Sequence, residues 1–191
     1  MSASAVESAY AIKTGELYKV SEQQLVDCDT GNSGCNGGWP TTAYTYWKGG
    51  VAEDSLYPYT GTEDSCYDTS VAKAFSTTGY VDVTYNSLSA FKAALRQTPV
   101  SVAFAVANDF YYYSSGLFTG EGASGCASQI NHGMTAVGLG VTTNGEEYTI
   151  IRNSWGTGWG DNGYFNAKLD AVNDTDGGVC QLYKYTNYPL V

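Results

Sequence analysis

Residues 131–159 read NHGMTAVGLGVTTNGEEYTIIRNSWGTGW. Two apolar runs, 132–141 and 147–152, flank Asn144-Gly145, a dipeptide suited to the left-handed backbone of a hairpin turn. The pattern predicts two neighbouring antiparallel strands. His132 lies twelve residues before Asn144, and Asn153 lies eight after Gly145. The ends of the two strands are therefore near enough in register to meet. An amide oxygen accepting a hydrogen bond from one imidazole nitrogen fixes the ring and its tautomer. The other nitrogen is then left as a base for a nucleophile, which is the base and orienter of a catalytic triad. The glycine-interrupted run after Asn153 is neither regular helix nor regular strand, and its glycines let a backbone approach its neighbours closely. Trp155 laid over the His132–Asn153 bond would keep water from it.

Outward from this hairpin, two textures divide the chain. Residues 3–13 place Ala3, Val6, Tyr10 and Ala11 at helical spacing, with Gly15 as a stop. Ser21-Glu22-Gln23-Gln24 has the form of a capping box, with Ser21 as cap and Gln24 three residues on. Pro40 opens a helix whose apolar face is Ala43, Tyr44 and Trp47, ending at Gly49-Gly50. Residues 50–78 are expected to be mostly loop. Strand patterns then appear at 81–83, 100–106 and 163–169, and Ser87 or Ser89 can cap a helix running to Leu95. The expectation is an α+β chain, helical over 1–80 and strand-rich over 81–191, with a cleft between the two parts.

Composition narrows the function. Of 191 residues, 43% are hydrophobic and 15% charged, which is the balance of a folded chain. A net charge of −10 argues against nucleic acid as a partner, since phosphate binding needs surplus Lys and Arg. No apolar stretch is long enough to span a membrane. Residues 1–10 lack the basic start and apolar core of a secretory signal. One histidine excludes a histidine-cluster metal site, and no cofactor is called for. Five cysteines with low charge and 23 glycines suggest an extracellular or vesicular protein with disulfides, in which at least one cysteine stays unpaired within the chain. Asn173-Asp174-Thr175 is a glycosylation sequon.

The segments SEQQLVDCD (21–29), GCNGGWP (34–40), YPYTG (57–61), NHGMTAVGLG (131–140), IRNSWGTGWGDNGY (151–164) and GVCQLYKYTNYPL (178–190) resemble, in order, those of the papain-like cysteine peptidases. The resemblance implies a two-domain fold, a helical left domain and an antiparallel barrel-like right domain, with peptide bonds cleaved in the cleft between them. It assigns His132 as the base of a thiolate–imidazolium pair and Asn153 as its orienter. It also implies the disulfides Cys28–Cys66 and Cys126–Cys180. Cys35 would pair with a cysteine upstream of the chain, and so should be a free thiol here.

The nucleophile does not carry over. The resemblance places it in a C-G-S-C-W segment roughly four residues before Met1, consistent with a separation of about 130–150 residues from the histidine. The glutamine of the oxyanion hole would also lie upstream. The expectation is an endopeptidase truncated just after its cysteine and inactive by itself. The alternatives are a non-catalytic relative that binds peptides or a partner, and a fragment completed in trans. Cys35 as nucleophile is disfavoured, because its GCNGG loop offers no helix N-terminus to lower a thiol pKa.

Substrate contacts follow from the same resemblance. Gly37 and Gly38 match glycines whose backbone pairs with an extended peptide. Trp39, Pro40, Ala103, Ile130, Asn131 and Tyr185 match positions around the main specificity pocket, and Trp155 is counted among the substrate contacts as well. Ala103 and Ile130 would make its walls apolar, and Tyr185 would make it shallow. Tyr111-Tyr112-Tyr113 reads as packing and surface. The partners implied are peptide or protein substrates and proteinaceous peptidase inhibitors, in a lysosomal, vacuolar or secreted setting.

Overall fold

The computed structural model describes residues 1–121, 125–169 and 177–191; the Asn173-Asp174-Thr175 sequon lies outside them. The chain forms two compact units, one of residues 2–81 with 188–191, the other of Met1 with 82–187.

In the first unit, helix α1 (Ser2–Thr14) buries Ala3, Ala5, Val6 and Ala9 along one stripe. It stops at Gly15, whose φ of +82° is open to glycine at no steric cost and whose N–H bonds Ala11 O at 2.9 Å. Helix α2 (Glu22–Cys28) is capped by Ser21, whose Oγ accepts from Gln24 N at 2.9 Å. Only half of the expected capping box forms. The Gln24 side chain turns inward instead, where Oε1 accepts from Trp47 Nε1 at 2.8 Å and Ala52 N at 2.9 Å. Its Nε2 donates to Gly50 O at 3.0 Å and Asp68 Oδ1 at 2.6 Å. All four hydrogen-bonding capacities of a fully buried amide are thus used, which offsets the cost of taking it out of water.

Helix α3 (Pro40–Tyr46) starts on the expected proline and leads into a 3-10 turn at Trp47–Gly49. Tyr44 and Trp47 pack with Ala3, Ala5, Val6, Val20 and Val51 to form this unit's core. The stretch expected to be loop contains one short antiparallel pair, β1 (Val51–Ala52) with β2 (Lys73–Phe75).

The remaining elements are β3 (Gly79–Asp82), α4 (Leu88–Leu95), β4 (Val100–Phe104), α5 (Asn108–Tyr111), β5 (Leu117–Phe118), β6 (His132–Val141), β7 (Glu147–Arg152), β8 (Tyr164–Lys168) and β9 (Thr186–Leu190). Ser87 caps α4, accepting from Ala90 N at 3.2 Å. The sheet order is β3-β9-β4-β6-β7-β8-β5, an open sheet and not a closed barrel. Its pairs β4–β6, β4–β9, β6–β7 and β7–β8 are antiparallel, while the edge pair β5–β8 is parallel. Strand β4 ends two residues sooner than its apolar run. Beyond Phe104 the backbone is claimed by the disulfide-bearing segments, through Ala105 N to Cys180 O at 2.9 Å and a bridge between Val106 and Cys126. The β6–β7 turn closes with Gly145 N on Thr142 O at 2.9 Å, and only Gly145 has positive φ, so it is a type I turn followed by a glycine bulge.

Candidate active site

Strand β6 begins at His132, and Asn153 follows directly on β7. His132 Nε2 lies 2.8 Å from Asn153 Oδ1. The same Oδ1 accepts from the Ser154 main-chain N–H at 2.8 Å, which marks this atom as the amide oxygen. An amide oxygen only accepts, so Nε2 carries the proton. In the neutral ring the lone pair is then on Nδ1, the nitrogen available as a base. Asn153 is buried and His132 half-buried.

This arrangement depends on a bulge. Residues of β6 and β7 pair as Val141↔Glu147 through Gly138↔Ile150, then as Ala136↔Ile151 and Thr135↔Arg152, leaving Val137 as one extra residue on β6. One step beyond Arg152, Asn153 comes level with Met134, which shares a face with His132 because strand side chains alternate. Were the same residues paired throughout in the register of Val141↔Glu147, Asn153 would come level with Thr135, on the other face.

Burial holds the His132 ring below its ordinary 6.5, the Asn153 bond pulls the other way, and the Met1 α-amino group adds to the lowering. Trp155 lies against the imidazole, 5.1 Å between ring centroids at 29°. Met1 is a close neighbour too. Its carbonyl accepts from Thr135 Oγ1 at 3.2 Å, and its side chain occupies the space a Cβ on Gly133 would need.

The description "Papain family cysteine protease" matches residues 1–190. The chain belongs to the papain family. It is 45% identical over 191 residues to a senescence-specific cysteine protease of Arabidopsis thaliana, covering 98% of this chain and 54% of the relative. Cysteine endopeptidase RepA of Oryza sativa subsp. japonica is 42% identical, with 97% of this chain and 49% of the relative covered. The chain thus spans about half the length of these relatives. Among solved structures, the bromelain protease of Ananas comosus in complex with the E64 inhibitor superposes with a TM-score of 0.91 at 36% identity, covering 100% of this chain and 86% of that one. The proform of the ragweed pollen protease Amb a 11 gives 0.91 at 33% identity, covering 57% of its own chain.

This papain-family chain has the two disulfides that the resemblance implies, Cys28–Cys66 with Cα atoms 5.0 Å apart and Cys126–Cys180 at 5.1 Å. Cys35 is an exposed free thiol. In the first unit, Gly37 (φ +97°) and Gly38 lie on an exposed loop held by Asn32. Asn32 Oδ1 accepts from Trp39 N at 2.8 Å, and its Nδ2 donates to Asp29 Oδ2 at 2.7 Å. A Cβ on Gly38 would run into Asn32 Oδ1 at 2.1 Å, so glycine is needed for close approach. Trp39 is exposed and Pro40 buried.

In the second unit, Ala103 is buried on β4 opposite Gly133, and Phe104 pairs with His132. Ile130 is half-buried. Asn131 is exposed, but both polar ends of its side chain bond the Val106 backbone, Oδ1 accepting from N at 2.8 Å and Nδ2 donating to O at 2.9 Å. Tyr185 meets Tyr85 edge-on at 5.2 Å.

Sequence reading missed Asn32, for which composition gives no cue. It also missed α5, where Phe110 wedges between Trp155 (5.6 Å) and Trp159 (5.0 Å). The apolar Phe110 ahead of three tyrosines was the available signal. No helix among the described residues is long and apolar enough to cross a membrane.

Proposed function

We propose that the chain carries the base and orienting amide of a cysteine-type endopeptidase, His132 and Asn153, and that their thiolate comes from residues N-terminal to Met1. The observation that carries this reading is the pair of hydrogen bonds on Asn153 Oδ1, which commits Nε2 as donor and frees Nδ1 as base. Two features support an upstream nucleophile. Four of the five cysteines are in disulfides, and Met1, the residue next in line, lies against Gly133 and Thr135 beside His132.

In the proposed cycle the thiol gives its proton to Nδ1. The thiolate then attacks the scissile carbonyl carbon, and the imidazolium returns the proton to the departing amine. Water, deprotonated by the same nitrogen, hydrolyses the thioester and regenerates the thiol. Asn153 turns with neither proton nor substrate; it holds the ring.

Residues 1–80 and 81–191 are proposed as the two domains. Gly37, Gly38, Trp39, Pro40, Ala103, Ile130, Asn131, Trp155 and Tyr185 are proposed as substrate contacts, with peptides and peptide-like inhibitors as ligands. The E64 complex of bromelain supports the ligand class. The two disulfides support a vesicular or secreted setting.

The test is an assay on fluorogenic peptides with bulky apolar residues, run on this chain and on one extended to the upstream cysteine. Turnover by the extended chain alone, lost on His132→Ala, is expected. Turnover by the short chain that disappears on Cys35→Ser would overturn the proposal and make Cys35 the nucleophile.

A further inference from the structure

Trp155 is held between rings. His132 lies on it at 5.1 Å and 29°, and Tyr111 lies on it at 5.1 Å with the two planes only 8° apart. Tyr111 is the last residue of α5, directly after Phe110, so one short helical turn sends two successive rings to the same indole. Phe110, fully buried, meets it edge-on at 66°, and Tyr111, half-exposed, meets it face-on. The main-chain carbonyl of Tyr111 also accepts from Trp159 Nε1 at 3.2 Å. One residue therefore touches both tryptophans of the motif, one through its ring and the other through its backbone.

We infer that Tyr111 is a positioning residue for His132: its ring clamps Trp155 against the imidazole and so keeps water from the bond to Asn153. A half-exposed aromatic side chain that only filled surface would gain nothing from lying parallel to the indole, whereas offset stacking brings both ring faces into contact and fixes the indole plane. Removing the ring lets Trp155 swing outward. The imidazole then loses its cover on that side, keeping Asn153 as hydrogen-bond partner and the Met1 α-amino group as charged neighbour. Only the kinetic arm of the test rests on His132 being the catalytic base.

The experiment uses the single histidine as its own probe. Isotope-labelled native chain, Tyr111→Ala and Tyr111→Phe are compared by NMR for exchange of the His132 Nε2 proton and for the midpoint of the ring's titration. In Tyr111→Ala the Nε2 signal is expected to be lost to solvent exchange and the midpoint to rise towards the ordinary 6.5, since burial is what depresses it. Tyr111→Phe, which keeps the ring, should match the native chain in both. In the extended chain, Tyr111→Ala should lower kcat by roughly 2- to 10-fold, the worth of one aromatic pair, with KM unchanged. If the alanine variant does not fold, Tyr111→Leu keeps apolar bulk without the flat face and should shift the same way. A Nε2 proton and midpoint unmoved in the alanine or leucine variant would overturn the clamp, as would a phenylalanine variant that behaves like alanine. Extended-chain activity surviving His132→Ala would instead end the catalytic reading and leave the NMR result standing.

Discussion

His132 and Asn153 share one face of the sheet because the β6–β7 ladder steps over Val137, between Ala136 and Gly138. Run in one unbroken register, the same residues would set the proposed catalytic pair on opposite faces, so the strand ends alone do not bring the two together. Deleting Val137 removes the extra residue but leaves Ala136 opposite Ile151 and Thr135 opposite Arg152, so Asn153 stays level with Met134 on the face of His132. The deletion variant is therefore expected to fold with the hairpin intact, to keep the His132 Nε2 proton protected as in the native chain, and to stay active in the extended chain. Loss of the native imidazole spectrum would contradict this and show that the strands re-pair in another register once Val137 is gone.

Asn153→Ala removes the acceptor for His132 Nε2 and for Ser154 N together. A hydrogen bond to a group that becomes charged contributes about 1.5–3 kcal/mol, so kcat of the extended chain should fall by roughly 10- to 100-fold. KM should change little, because the amide holds the base and not the peptide. Steady-state kinetics on one fluorogenic substrate decide it.

Acid should cost this chain stability through its one histidine. Burial, against the pull of Asn153, sets the folded ring below the 6.5 that it regains on unfolding. Between those two values the unfolded chain binds more protons than the native one, so stability rises with pH across the window and is lost as pH falls through it. Urea unfolding of native chain and His132→Gln at a series of pH values isolates the effect. The native chain's stability relative to the variant should stay constant above about pH 7.5 and decline below 6.5. A difference independent of pH would contradict the buried neutral ring.

Gln24 is expected to matter more for folding than any single apolar residue around it. Gln24→Met keeps the volume but leaves Trp47 Nε1, Ala52 N and Gly50 O without their partner inside the core. At about 1–3 kcal/mol for each buried group left unpaired, a loss of at least about 3 kcal/mol follows. Denaturant unfolding of the variant measures it directly.

The sequence made some of these features readable and hid others for definable reasons. The hairpin of β6 and β7 is written in its two apolar runs and its Asn-Gly turn, and the nearness of His132 and Asn153 follows from their spacing. The bulge is not, because Ala136, Val137 and Gly138 suit a strand in either register. Strand β9 escaped notice because Thr186, Asn187 and Pro189 carry no apolar alternation, and β5 because two residues hold no period at all. Ser21 and Gln24 gave the start of α2 correctly, yet local pattern cannot tell that a glutamine finds four better partners in the core than the cap it was spaced for.

Tyr188–Val191 belong to the same compact unit as residues 2–81, with Thr78 N on Leu190 O at 2.7 Å, Lys13 Nζ on the Val191 carbonyl and Val191 packed against that unit's core. On the ribosome, therefore, the first-made unit waits for a strand that emerges more than a hundred residues later. At roughly 5–20 residues per second that is a delay on the order of 5–20 s, during which α1 to α3 have been synthesised but their last partner has not. Vectorial synthesis cannot finish the helical unit first, and its final closure has to come after translation of everything between.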